Sequence, residues 1–97
     1  MIEVLIKHGI SDFAIERFKQ FDDILINEIE TNLDELEKTI SFFKINGINC
    51  IEDVLLYRRD LLLFNSYKVK KLFNDYGLKE MVQLINEDYT NVDLLFR

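Results

Sequence analysis

The stretch Leu33-Asp34-Glu35-Leu36-Glu37-Lys38-Thr39-Ile40-Ser41-Phe42-Phe43-Lys44-Ile45-Asn46-Gly47-Ile48 decides the fold. Leu33, Leu36, Ile40 and Phe43 recur at three- and four-residue steps, the period of one helix face. Gly47 ends the pattern, and Ile48 follows at once. That pair predicts a helix C-terminus at which glycine takes the left-handed conformation and the next apolar residue packs back onto the last turn. Asn32, with Glu35 three residues on, has the form of a capping box.

The same punctuation occurs at Gly9-Ile10 and Gly77-Leu78. Upstream of Gly77, Val69, Leu72, Phe73 and Tyr76 make a second stripe, with Ser66 as its expected cap. After each glycine another helix is expected. Ser11 would cap Ala14, Phe18 and Phe21, Asn49 with Glu52 would cap Ile51, Val54 and Leu55, and Met81, Val82 and Ile85 continue beyond Gly77. Each of these helices runs into aspartate and two aliphatics: Asp23-Ile24-Leu25, Asp60-Leu61-Leu62 and Asp93-Leu94-Leu95. The chain therefore reads as all-α, a compact array of short helices in two to three degenerate helix-Gly-helix repeats forming one domain, 1–97. The expected core is Phe18, Phe21, Leu36, Ile40, Phe43, Val54, Leu55, Leu62, Val69, Leu72, Phe73, Met81, Val82 and Ile85.

The segment from Ile45-Asn46-Gly47-Ile48 through Val54-Leu55-Leu56-Tyr57-Arg58-Arg59-Asp60-Leu61-Leu62 to Val69-Lys70-Lys71-Leu72-Phe73-Asn74-Asp75-Tyr76-Gly77-Leu78 resembles the helical repeat of the mitochondrial transcription termination factor family. Asp23, Asp60 and Asp93 stand where that family's repeat has a turn proline. The resemblance implies an array that binds nucleic acid.

Composition narrows the classes. With 48% apolar residues, no proline, three glycines and one cysteine, the chain is a globular domain rather than a linker, a collagen-like repeat or a disulfide scaffold. The longest apolar run, Leu61-Leu62-Leu63-Phe64, is far short of a membrane span. Glu3 stands where a signal peptide would carry bases, so the expected location is the cytoplasm, without membrane attachment. Catalysis lacks a constellation. His8 is the only imidazole and reads as a packing or surface group, and Cys50 reads as a small hydrophobe. No acidic run has calcium-loop spacing, so no metal, no cofactor and no enzymatic activity are expected.

Charge carries the functional reading. Eighteen acids face 12 bases, net −6. Seven acids and no base fall within 20–37, whereas six bases and two acids fall within 57–79, interleaved with Tyr57, Tyr67 and Tyr76. Asp34, Glu35 and Glu37 suit a helix's first turn, where the macrodipole welcomes acids. The same run, with Glu28, Glu30, Asp34 and Glu35 as its contact residues, reads as a surface for a protein partner. The alternative is a nucleic-acid binder using Arg58, Arg59, Lys68, Lys70 and Lys71. The net negative charge, acting over a Debye length of about 8 Å, disfavours it. Apolar residues at both ends (Ile2, Val4, Leu5 and Ile6; Val92, Leu94, Leu95 and Phe96) suggest open faces, so the partner is another protein or a second copy in a homodimer.

Overall fold

The computed structural model describes residues 1–97. With no proline to interrupt it, the apolar periodicity produces seven α-helices: α1 (Ile2–Lys7), α2 (Asp12–Lys19), α3 (Asp23–Glu30), α4 (Leu33–Ile45), α5 (Ile51–Tyr57), α6 (Ser66–Tyr76) and α7 (Leu78–Glu87). Two 3₁₀ segments, Arg59–Leu62 and Tyr89–Phe96, complete the chain, and there is no strand. The longest helix, α4, has 13 residues. Helices this short are marginal alone in water, so tertiary burial holds them.

That burial is continuous. Twenty-two buried apolar residues form one cluster reaching from Met1 to Leu95, leaving no second core. Phe43 and Phe73 meet inside it and half-buried Phe42 packs on both, locking α4 to α6 with ring centroids 5.6–6.3 Å apart. α2 packs on α5, and α7 packs on both α6 and the last 3₁₀ segment. Of the expected core, Leu72 and Val82 are only half-buried at its edge; the other twelve are buried. The apolar termini fold back only in part: Ile6 is 60% exposed, and Ile2, Val4, Leu94 and Phe96 are half-buried at the edge of the core. Leu5 and Val92 have no exposure at all, and Met1 and Leu95 are also buried.

Gly47 has φ +83°, and two hydrogen bonds close the end of α4: Ile48 N–H to Phe43 C=O at 3.0 Å and Gly47 N–H to Lys44 C=O at 3.1 Å. These are the 6→1 and 5→2 bonds of a Schellman motif, with Ile48 buried against the last turn. Ile10 and Gly9 make the same pair of bonds to Leu5 and Ile6. Gly77 departs from the expectation. Its φ is +121° and ψ 99°, outside the left-handed helical well, because α7 starts at the very next residue and leaves no room for the motif. Gly77 N–H closes α6 on Phe73 C=O, and Gly77 C=O accepts the first bond of α7 from Met81.

Helix starts differ from expectation in a consistent way. Ser11 caps α2 as expected, its hydroxyl accepting from Ala14 N–H at 3.2 Å. Asn32 makes no cap; its amide reaches Leu63 C=O, and Glu35 turns away to Ser66. Cys50, not Asn49, stands at the start of α5 without a side-chain cap, and Glu52 instead accepts from Ser11 N–H and hydroxyl, both at 2.8 Å. Asn65 rather than Ser66 caps α6. Of the three aspartate-aliphatic steps, Asp60 and Asp93 lie in the 3₁₀ segments, whereas Asp23 opens α3 behind the cap Asp22.

One buried polar atom has no partner: the hydroxyl of Thr39, fully enclosed on α4. An unsatisfied buried hydroxyl costs about 1–3 kcal/mol. Thr39→Val keeps the branched shape and removes the hydroxyl, so a stabilisation of about 1 kcal/mol is expected, which is about 4–8 °C in Tm for a domain of this size. Thr39→Ser, which keeps the hydroxyl and loses a methyl, should lower Tm. Thermal melts in which the valine variant is the less stable of the two would show that the hydroxyl is satisfied.

Candidate functional site: an acidic helix face and a divided set of bases

The acids of 20–37 divide by what they touch. Asp22 caps α3, its carboxylate accepting from Leu25 N–H at 2.8 Å. Glu30 meets the Met1 amino group at 2.6 Å. Glu35 accepts from Ser66 N–H at 3.2 Å and pairs with Lys38 at 3.3 Å; these bonds, Lys38 foremost, hold its carboxyl below the usual range. Glu37 pairs with Lys7 at 2.6 Å and with His8 at 3.3 Å, and Lys7 is the chief cause of its lowered pKa. Asp23, Glu28 and Asp34 are exposed and make no ion pair.

Helical spacing puts Asp23, Ile24, Asn27 and Glu28 on one outer face of α3, and Ile24 is 73% exposed there. Glu30, Asp34 and Glu35 line one shallow depression with Lys38 where α3 passes into α4. Glu28 stands outside it, on the outer face of α3. The last turn of α3 holds Glu28 and Glu30 and no base. Acids at a helix C-terminus oppose the macrodipole. The Met1 amine offsets Glu30. Nothing offsets Glu28.

The five bases singled out from the sequence do not converge. Arg58 turns inward: its guanidinium bonds Asp60 at 2.7 and 3.1 Å and Asp93 at 2.9 Å, and it lies 3.8 Å from the Phe96 ring centroid. Those hydrogen bonds, to Asp60 above all, push its pKa up, and in return Asp60 is held low. Lys71 pairs with Asp75 at 3.0 Å. Lys68 sits over Phe64 and Lys70 over Phe42, at the edge of a groove between α4 and α6. Arg59 points elsewhere, into a cleft it shares with Arg17.

Arg17, with Tyr89 across the cleft, was not visible as a site residue in the linear charge map. Its one local sign is Phe13 four residues earlier, whose ring the Arg17 guanidinium covers at 5.7 Å. Cys50 is half-buried, with its thiol 3.5 Å from Ile85 C=O. Burial, reinforced by Asp53, pushes its pKa up, opposite to what a nucleophile needs.

No protein-family model, no curated protein and no solved structure matches the chain. None of its helices is long and apolar enough to cross a membrane.

Proposed function

We propose that the protein is a non-catalytic interaction module that binds a protein partner through the acidic surface of α3 and the start of α4. Glu28 carries the reading. It lies in a helix turn where the macrodipole opposes it, and no cation relieves it. Residues that cost stability where they stand, without a local role, are what a binding surface retains. Asp34, likewise without a cation, extends the negative face beside the paired Glu30 and Glu35, and the exposed Ile24 adds an apolar contact on α3. The complementary partner is a segment rich in lysine or arginine with an apolar anchor.

The two demands on Glu28 give the test. Glu28→Gln should raise the stability of the free protein slightly, by about 0.5 kcal/mol. Combined with Asp34→Asn, it should weaken partner capture several-fold from nuclease-treated extract. Lys70→Glu with Lys71→Glu should leave that capture intact. If nuclease treatment removes the recovered material, or the lysine variant abolishes its recovery, nucleic acid is the partner and the acidic-surface reading fails.

A further inference from the structure

We infer that the cleft where α2, α5 and the two 3₁₀ segments meet, lined by Arg17, Asp53, Leu56, Tyr57, Arg59 and Tyr89, binds a nucleoside phosphate, the two arginines holding the phosphate and the tyrosine rings carrying the base. This surface is separate from the acidic face of α3 and does not depend on it.

The first observation is electrostatic. Acids outnumber bases by six in this chain, yet neither Arg17 nor Arg59 has an ion-pair partner. The cleft holds two guanidinium groups against one carboxylate, Asp53, with which neither forms an ion pair, so it carries net positive charge. A phosphate dianion neutralises that excess and matches the planar fork of arginine, which a lysine pair would not offer. Arg59 is braced in advance by a buried ring, Arg17 only loosely by an exposed one. Arg59 lies 4.5 Å from the centroid of Phe21, itself buried, and Arg17 lies over Phe13.

The second observation is the aromatic wall. Tyr57 and Tyr89 meet edge to face, with centroids 5.5 Å apart and ring planes at 72°. Tyr57 is fixed by its hydroxyl, which donates to Asp93, and Asp93 is anchored in turn by Arg58 at 2.9 Å. The two residues are 43% and 38% exposed, which leaves surface for a base to stack on. Asp53 is the one carboxylate lining the cleft. It selects against a bare anion and offers an acceptor to ribose hydroxyls or a base amino group. The cleft is a half-open depression of about 340 Å³, room for a nucleoside phosphate that keeps one side in water.

Titration of the full chain followed by NMR tests this with four probes: adenosine 5′-monophosphate, uridine 5′-monophosphate, adenosine and inorganic phosphate. The monophosphates should bind at sub-millimolar concentration and shift the ring resonances of Tyr57 and Tyr89. Adenosine and inorganic phosphate should each bind about tenfold or more weakly, and inorganic phosphate should leave the tyrosine rings unmoved. Arg17→Gln and Arg59→Gln should each raise the Kd about tenfold, and Tyr89→Ala should remove the ring shifts. Arg59→Lys, which keeps the charge and loses the fork, should fall between wild type and Arg59→Gln, and it remains informative if the glutamine variant is destabilised. Inorganic phosphate binding as tightly as the monophosphates would reduce the cleft to an anion patch and overturn the inference. So would unchanged binding by the double arginine variant, binding of single-stranded oligonucleotides but not of mononucleotides, or no response by about 5 mM nucleotide.

Discussion

Phe73→Ala is expected to cost about 3–5 kcal/mol, a large part of the 5–15 kcal/mol that holds a domain together. Phe73 has no exposed surface, and its ring meets both Phe42 and Phe43 at 5.6 Å. It is the only one of the three on α6, so truncation opens a cavity at the seam with α4 that short helices cannot close without shifting against the rest of the core. Urea titration should show a much lower midpoint at an unchanged slope. Phe13→Ala, at a ring 73% exposed, should stay within about 0.5 kcal/mol of wild type. A Phe73 variant as stable as the Phe13 variant would mean that the α4–α6 seam is not packed as described.

The second large effect is expected at Arg58. This one side chain joins the turn holding Asp60 to the segment holding Asp93 and covers the Phe96 ring. Arg58→Met should cost about 2–3 kcal/mol, less than for a fully enclosed pair because both carboxylates stay partly hydrated. The loss should depend on pH with a definite sign. Asp60 is held below its ordinary pKa chiefly by Arg58, and Asp93 by Tyr57 and then Arg58. A carboxyl whose folded pKa is depressed contributes its stability above the unfolded value, near 4, and loses it as pH falls through the folded value. The gap between wild type and Arg58→Met should therefore be full at pH 7 and shrink as the pH falls below about 4. A gap that is flat with pH would mean that Arg58 acts through packing on Phe96 alone.

What could be read from the sequence was what depends on near neighbours. Gly9 and Gly47, each followed by isoleucine, end their helices as expected because the motif is complete within six residues. The apolar stripes placed twelve of the fourteen expected core residues inside. Gly77 carries the same local signature and behaves differently, since what decides its backbone is the immediate start of α7. The capping boxes at Asn32 and Asn49 did not form, because Glu35 and Glu52 found distant serines instead. The candidate site was legible to the same depth. Clustering of acids in 20–37 was plain, but which carboxylates are spent on Met1, Lys38 and Lys7 depends on tertiary contact. Arg58 and Arg59 are adjacent in sequence yet face opposite fates, one sealed by two aspartates and the other turned toward Arg17.

Those displaced glutamates have a consequence for how the molecule comes apart. Glu35 holds the first amide of α6, and Glu52 holds the amide just ahead of α2, across sequence separations of 31 and 41 residues. Asn86 similarly accepts from Asn49 N–H and donates to Gly47 C=O, so α7 secures the loop that leaves α4. A helix whose end is closed by another helix cannot fray on its own, because unwinding one strips the terminus of its neighbour. The amide hydrogens of Ser11 and Ser66, which no bond within their own helices protects, are thereby expected to exchange when the neighbouring helix moves as well, a coupling that hydrogen exchange can read. The domain is stitched into a single cooperative unit by side chains that any one helix, cut free, would lack.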